Sequence, residues 1–121
     1  MRTQAQQLLG VKKRTEDNFK KNTLIKFLAS ISYGFIDERV AFRSGFYAIN
    51  KGMPDVFFYH PTGIYAFETK RKRGVVSVVQ KECHEKLKKA GVRVFVVNPE
   101  NFESLKPLLI EKFSQKLSSD N

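Results

Sequence analysis

The chain has 121 residues, with 22 Lys and Arg against 12 Asp and Glu, a net charge of +10 and a hydrophobic share of 41%. That length supports one domain with a real core, and the surplus of positive charge is the electrostatic footprint of a nucleic-acid binder. No long apolar run, lipidation motif or signal-peptide core offers an anionic membrane as partner instead, so the chain reads as soluble, intracellular and cytoplasmic.

A single cysteine, Cys83, excludes an intrachain disulfide, and with only His60 and His84 beside it a structural zinc site is not expected. Cys83 reads as a small apolar residue on a helix, and each histidine as a surface or partly buried one rather than a general base.

Residues 1–14 form a polar, basic arm around Leu8, Leu9 and Val11, either loose or a short helix docking onto a partner subunit. From Thr15, a fair N-cap, the residues Leu24, Phe27, Leu28 and Ile31 keep the spacing of an amphipathic helix, expected over 15–32. Glu16 stands on it in the row Glu16, Phe19, Thr23, Phe27. Two readings apply to it: a carboxylate at the end of an inward stripe, or an acid favoured in a first helical turn by the macrodipole.

Tyr33-Gly34 ends this helix, and 35–42 alternates as a strand with Ile36, Val40 and Phe42 on one face. Arg39 and Arg43 flank its end. Ser44, Gly45 and the residues up to Lys51 and Gly52 read as a loop.

Gly52-Met53-Pro54-Asp55 then sets the entry to a short apolar strand, 56–59, because proline fixes its own φ and glycine permits a tight approach. The strand is expected to be covered on both faces. His60-Pro61-Thr62-Gly63 is a turn, and 64–70 returns antiparallel, with Glu68 and Lys70 on one face and Thr69 pointing away. A hairpin closed at 60–63 brings Asp55 and Glu68 to the same open end. They are the only two acids between Arg39 and Lys81, surrounded by Arg39, Arg43, Lys51, Lys70, Arg71, Lys72, Arg73 and Lys81. Two carboxylates in a basic field suit a hard cation held against a phosphate backbone.

Arg71, Lys72 and Arg73 continue as a basic loop, suited to phosphate contacts or simply solvated. Ser77-Val78-Val79-Gln80 is a capping-box pattern that opens a helix to about residue 90, and Gly91 stops it. Gln80 is explained by that cap, yet shares a face with His84 and Leu87 and so also has a line to the site. Residues 92–97 form an apolar strand ended by Pro99, placed parallel to its predecessor by the helical crossover. Phe102, Leu105, Leu108, Leu109 and Phe113 fit one helix or two short ones, with Pro107 starting the longer piece. Residues 118–121 are a flexible tail, which leaves 15–117 as the single domain.

Pro54-Asp55 followed by Glu68-Thr69-Lys70 resembles the PD-(D/E)xK nuclease superfamily. Glu16 upstream, Arg43-Ser44-Gly45, Gly52, Ser77 with Gln80, and Ala90-Gly91-Val92 ahead of a strand complete a set that resembles the VRR-NUC family, especially its standalone virus-type members.

The resemblance implies an α/β fold, a restriction-endonuclease-like mixed sheet flanked by helices in the order α-β-β-β-α-β-α. It implies a catalytic site of Glu16, Asp55, Glu68, Lys70 and Gln80. Asp55, Glu68 and the Thr69 carbonyl would hold Mg2+ or Mn2+, with Glu16 acting directly or through water and Lys70 orienting the attacking water. DNA contacts fall to Arg39, Arg43, Ser44, Lys51, Arg71, Lys72 and Arg73. The implied activity is metal-dependent, structure-specific hydrolysis of branched DNA such as Holliday junctions by a homodimer, in a bacterial cell or a virus-infected host cell. Archaeal-type junction resolvases are a near alternative. The rivals from other classes are a non-catalytic basic DNA-binding module, with Asp55 and Glu68 as structural acids, and a small adaptor using its arm and C-terminal helix for partner contacts.

Overall fold

The computed structural model describes residues 18–38, 52–71 and 74–115. The expected arm, the tail, Glu16 and the 39–51 segment lie outside them. The elements follow as helix α1 (18–29), strands β1 (Phe35–Glu38), β2 (Val56–His60) and β3 (Gly63–Thr69), helix α2 (Val78–Lys89), strand β4 (Arg93–Val97) and helix α3 (Phe102–Phe113). The class is mixed α/β.

The four strands form one sheet in the order β1-β2-β3-β4, antiparallel across the first two pairings and parallel between β3 and β4. His60 pairs with Gly63, so the hairpin closes over Pro61-Thr62 as the turn chemistry requires. The parallel β4 returns through α2 as expected of a strand-helix-strand crossover.

α1 differs from the regular helix expected from spacing. Its Lys20–Ile25 stretch is π-helical, with an α-helical turn, Lys26–Ala29, after it. A π turn bonds each amide to the fifth carbonyl back, which resets the helical phase by about one residue. Phe19, Leu24 and Leu28, spaced by five and then four, therefore share the buried face, while Thr23 and Phe27 are only partly covered. The helix ends at Ala29, three residues short of the expected limit, and Tyr33 rather than Gly34 takes the left-handed conformation, at φ 65°.

One face of the sheet carries the core, built from Val56, Phe58, Tyr65, Phe67 and Val97 against α1 and α3. The Phe102 ring meets Phe19 and Phe27 edge-on at 5.6 and 5.5 Å, and Phe113 meets Phe58 and Tyr65 at 5.1 and 4.9 Å. Edge-to-face pairs at these separations add to what area burial alone supplies.

Pro107 lies inside α3 and does not begin a second helix. An interior proline removes one backbone hydrogen bond and costs a helix about 3 kcal/mol. Phe102, Leu109 and Phe113 are all buried, at positions i, i+7 and i+11 of one face, and only a continuous helix delivers the three together. Burying side chains of this size is worth about 1.5–3 kcal/mol each, enough to offset the lost bond.

α2 lies across the opposite face. Ser77 caps it, accepting from the Gln80 amide while Gln80 Oε1 accepts from the Ser77 amide, so the expected capping box is present. β2 is buried through Phe58, but Tyr59 is exposed, so the cover expected on both faces stops before the strand ends. Among the described residues, no helix is long and apolar enough to cross a membrane.

Candidate active site

The β2–β3 ladder ends at the Val56 and Phe67 pair, and Asp55 and Glu68 stand immediately beyond it on adjacent strands. Past that point the Thr69 main chain needs an acceptor, and Asp55 supplies it. Asp55 Oδ2 accepts from the Thr69 amide at 3.0 Å and from the Thr69 hydroxyl at 2.5 Å. Thr69 thus holds the carboxylate from two donors, where its side chain was expected only to point away. In an extended strand the N–H and C=O of one residue point to the same side. The Thr69 carbonyl is accordingly directed toward the Asp55 side of β3, while the Lys70 amide bonds to Val97 in β4 at 2.8 Å.

Glu68 is only 2% exposed, on the sheet face that α2 crosses. His84, near the middle of α2 and 5% exposed, places Nε2 at 3.1 Å from Glu68 Oε1. Burial holds the imidazole below its ordinary pKa of 6.5; the Lys88 and Lys70 ammonium groups push the same way, and Glu85 opposes them. The neutral ring donates through Nε2 to the carboxylate, which fixes the Glu68 rotamer. Lys70 follows the strand on the same side as Glu68, half-buried and close enough for its charge to act on His84.

His84 was not among the expected site residues. Its signal was present, since Gln80 and His84 are four apart on one face of a helix that must cross the Glu68 side of the sheet. Gln80 itself turns its side-chain oxygen back to the Ser77 amide at 2.9 Å. Arg71 is half-buried just after the site. Glu16, Arg39, Arg43, Ser44, Lys51, Lys72 and Arg73 lie outside the described residues.

Gly52 binds the two halves of the site together. It has φ +83°, and a Cβ there would stand 2.6 Å from the Val79 carbonyl oxygen in the first turn of α2. One residue on, Met53 Sδ contacts Cys83 Sγ at 3.4 Å. The 52–55 segment is therefore seated against the helix that carries His84.

The donors at this end of the hairpin are two carboxylates and a main-chain carbonyl, all oxygen, which is the set that Mg2+ or Mn2+ takes. Their chemical type fits such an ion, with Asp55, Glu68 and the Thr69 carbonyl as the residues that would hold it. Among the described residues, no three His, Cys, Asp or Glu side chains gather as a metal-binding group, so the site there rests on two. A bound cation would supply a lowered pKa for water and positive charge beside a phosphate. No family model, curated protein or solved structure matches the chain.

A linked expectation concerns stability. Because the folded state holds His84 below 6.5, the unfolded chain binds more protons just under that pH, and stability falls on acidification. The contribution is full above about pH 6.5 and is lost as pH drops toward the folded-state value. Thermal unfolding in chelator should show a midpoint that declines from neutral to mildly acid pH, with a shallower decline in His84→Gln. Equal slopes would remove His84 as the source.

Proposed function

We propose that this chain is a divalent-metal-dependent DNA endonuclease with a restriction-endonuclease-like sheet, akin to the VRR-NUC nucleases, that hydrolyses phosphodiester bonds in branched DNA as a homodimer. The observation that carries this reading is the pairing of Asp55 and Glu68 at one end of the β2–β3 hairpin, each held by a separate hydrogen-bonding partner. The net charge of +10 supports a polyanionic substrate, and Lys70 beside Glu68 supplies an ammonium for the scissile phosphate. In this reading Asp55, Glu68 and the Thr69 carbonyl orient the ion, His84 fixes Glu68, and Lys70 holds and polarises the attacking water.

A second reading has its own observation. Asp55 caps the end of the ladder through Thr69, and Gln80 closes the cap of α2, so both have structural duties that a non-catalytic DNA-binding module would also need.

Incubation with labelled four-way junction, flap and linear duplex DNA separates the two. In Mg2+ or Mn2+ the nuclease reading expects paired cuts in the junction, abolished by chelator. Tight binding with no cutting in either metal would leave the binding module.

A further inference from the structure

We propose that the sheet end farthest from the carboxylates is a stacking platform for unpaired DNA bases. This assignment rests on the nuclease reading and adds to it the single-stranded character of the flanking substrate. Phe35 is 67% exposed, Tyr59 39% and Ile64 40%. Phe35 pairs with Tyr59 and Tyr59 with Ile64, so the three form a continuous row across β1, β2 and β3 on one face. The Phe35 and Tyr59 rings lie 6.1 Å apart at 50°, tilted and not stacked on one another.

Among the described strand residues at this end, the exposed rings lie on one face. On the other face at the same end, Phe58 and Tyr65 are buried in the core. One row nearer the carboxylates, Phe57 and Ala66 are buried as well, so the cover stops between that row and the aromatic one.

Charge selects the occupant. α2 runs from the carboxylate end toward this one, because Val92 bonds back to Leu87 and Arg93 then pairs with Tyr65 beside Ile64. Its last turn carries Lys86, Lys88 and Lys89. A polyanion with flat apolar bases matches both the exposed rings and the lysine-rich end of α2.

Ile64 and Glu68 share a face of β3, four residues apart, or roughly 13 Å at the rise of a strand. A strand whose bases stack at the aromatic row thus reaches the carboxylates within a few nucleotides.

The test is fluorescence anisotropy of a short labelled oligothymidylate and of a matching duplex, both in chelator. The variants are Phe35→Ser with Tyr59→Ser, and the ring-keeping Phe35→Tyr with Tyr59→Phe. Loss of stacking should weaken single-strand binding about tenfold in the serine pair, and leave duplex binding, which is set by phosphate charge, nearly unchanged. The ring-keeping pair should bind like the native chain, and circular dichroism should show all of them folded. Equal losses on both DNAs, no loss on either, or a loss in the ring-keeping pair would overturn the platform. So would a change from dimer to monomer in sedimentation with single-strand binding intact, which would give the patch to a second copy. Chelator blocks any metal-dependent cutting, so failure here leaves the nuclease reading standing, and absence of cutting elsewhere leaves this binding result standing.

Discussion

Glu68→Gln is expected to bind branched DNA as tightly as the native chain, or more tightly, while cleavage falls at least about a hundredfold. The side chain is buried at the hairpin end, and glutamine keeps its length and can still accept from His84 through its amide oxygen. What is lost is the negative charge. A hard cation is held less well without it, whereas a basic surface that sheds one negative charge holds phosphate better. Gel-shift and single-turnover cutting assays on the same junction separate the two effects. Asp55→Asn tests the neighbouring acid in the same way, because its oxygen can still accept from Thr69. Asp55→Ala is a poorer probe. It leaves the Thr69 amide and hydroxyl without that acceptor and costs about 1–3 kcal/mol of stability, whatever becomes of the chemistry. Native cutting rates in Glu68→Gln or Asp55→Asn would remove the metal role from that residue.

Much of this arrangement was legible because its signals are local. Pro61 and Gly63 fix the hairpin, Ser77 and Gln80 cap α2, and the short apolar run at 93–97 follows a crossover helix, so each element announces itself within a few residues. The hairpin alone puts Asp55 and Glu68 at one open end of the two strands.

What escaped depends on contacts between distant residues or on departures from ideal periodicity. A π-helical stretch in α1 is invisible to a spacing rule built on 3.6 residues per turn, and it takes Thr23 and Phe27 off the face that Phe19 shares with Leu24 and Leu28. Pro107 carries a strong local stop signal, but burial of Phe102 on one side of it and of Leu109 and Phe113 on the other overrides that signal. The Thr69 bonds to Asp55 arise only where the ladder stops, and no pattern in sequence marks that point. His84 lay between. Its helix phase pointed at the sheet, but only the packing of α2 over β3 turns a helical histidine into the partner of Glu68.

Gly52→Ala should be strongly damaging although Gly52 performs no chemistry. At φ +83° an added side chain costs about 1–2 kcal/mol from backbone strain alone. The new Cβ would also stand 2.6 Å from the Val79 carbonyl oxygen and 3.0 Å from the Gln80 Cα, both on the backbone of α2, where no side chain can swing aside. Overpacking of that kind adds about 1–3 kcal/mol. Gly91 provides the control. Its φ is +94°, but a Cβ there meets nothing within 4 Å, so Gly91→Ala incurs the backbone cost without the collision. Urea unfolding should therefore place Gly52→Ala about 2–5 kcal/mol below the native chain and Gly91→Ala only about 1–2 kcal/mol below it. The two should differ more in activity than in stability. Relief of the collision pushes the 52–55 segment away from α2, and Asp55 moves relative to Glu68, which His84 keeps in place. A misplacement of about 1 Å in a catalytic constellation can cost about a hundredfold in rate. Cutting by Gly52→Ala, measured well below its unfolding temperature, should fall by that order, while Gly91→Ala cuts normally. Equal activities in the two would mean that the seating of this segment on α2 does not set the geometry of the carboxylates.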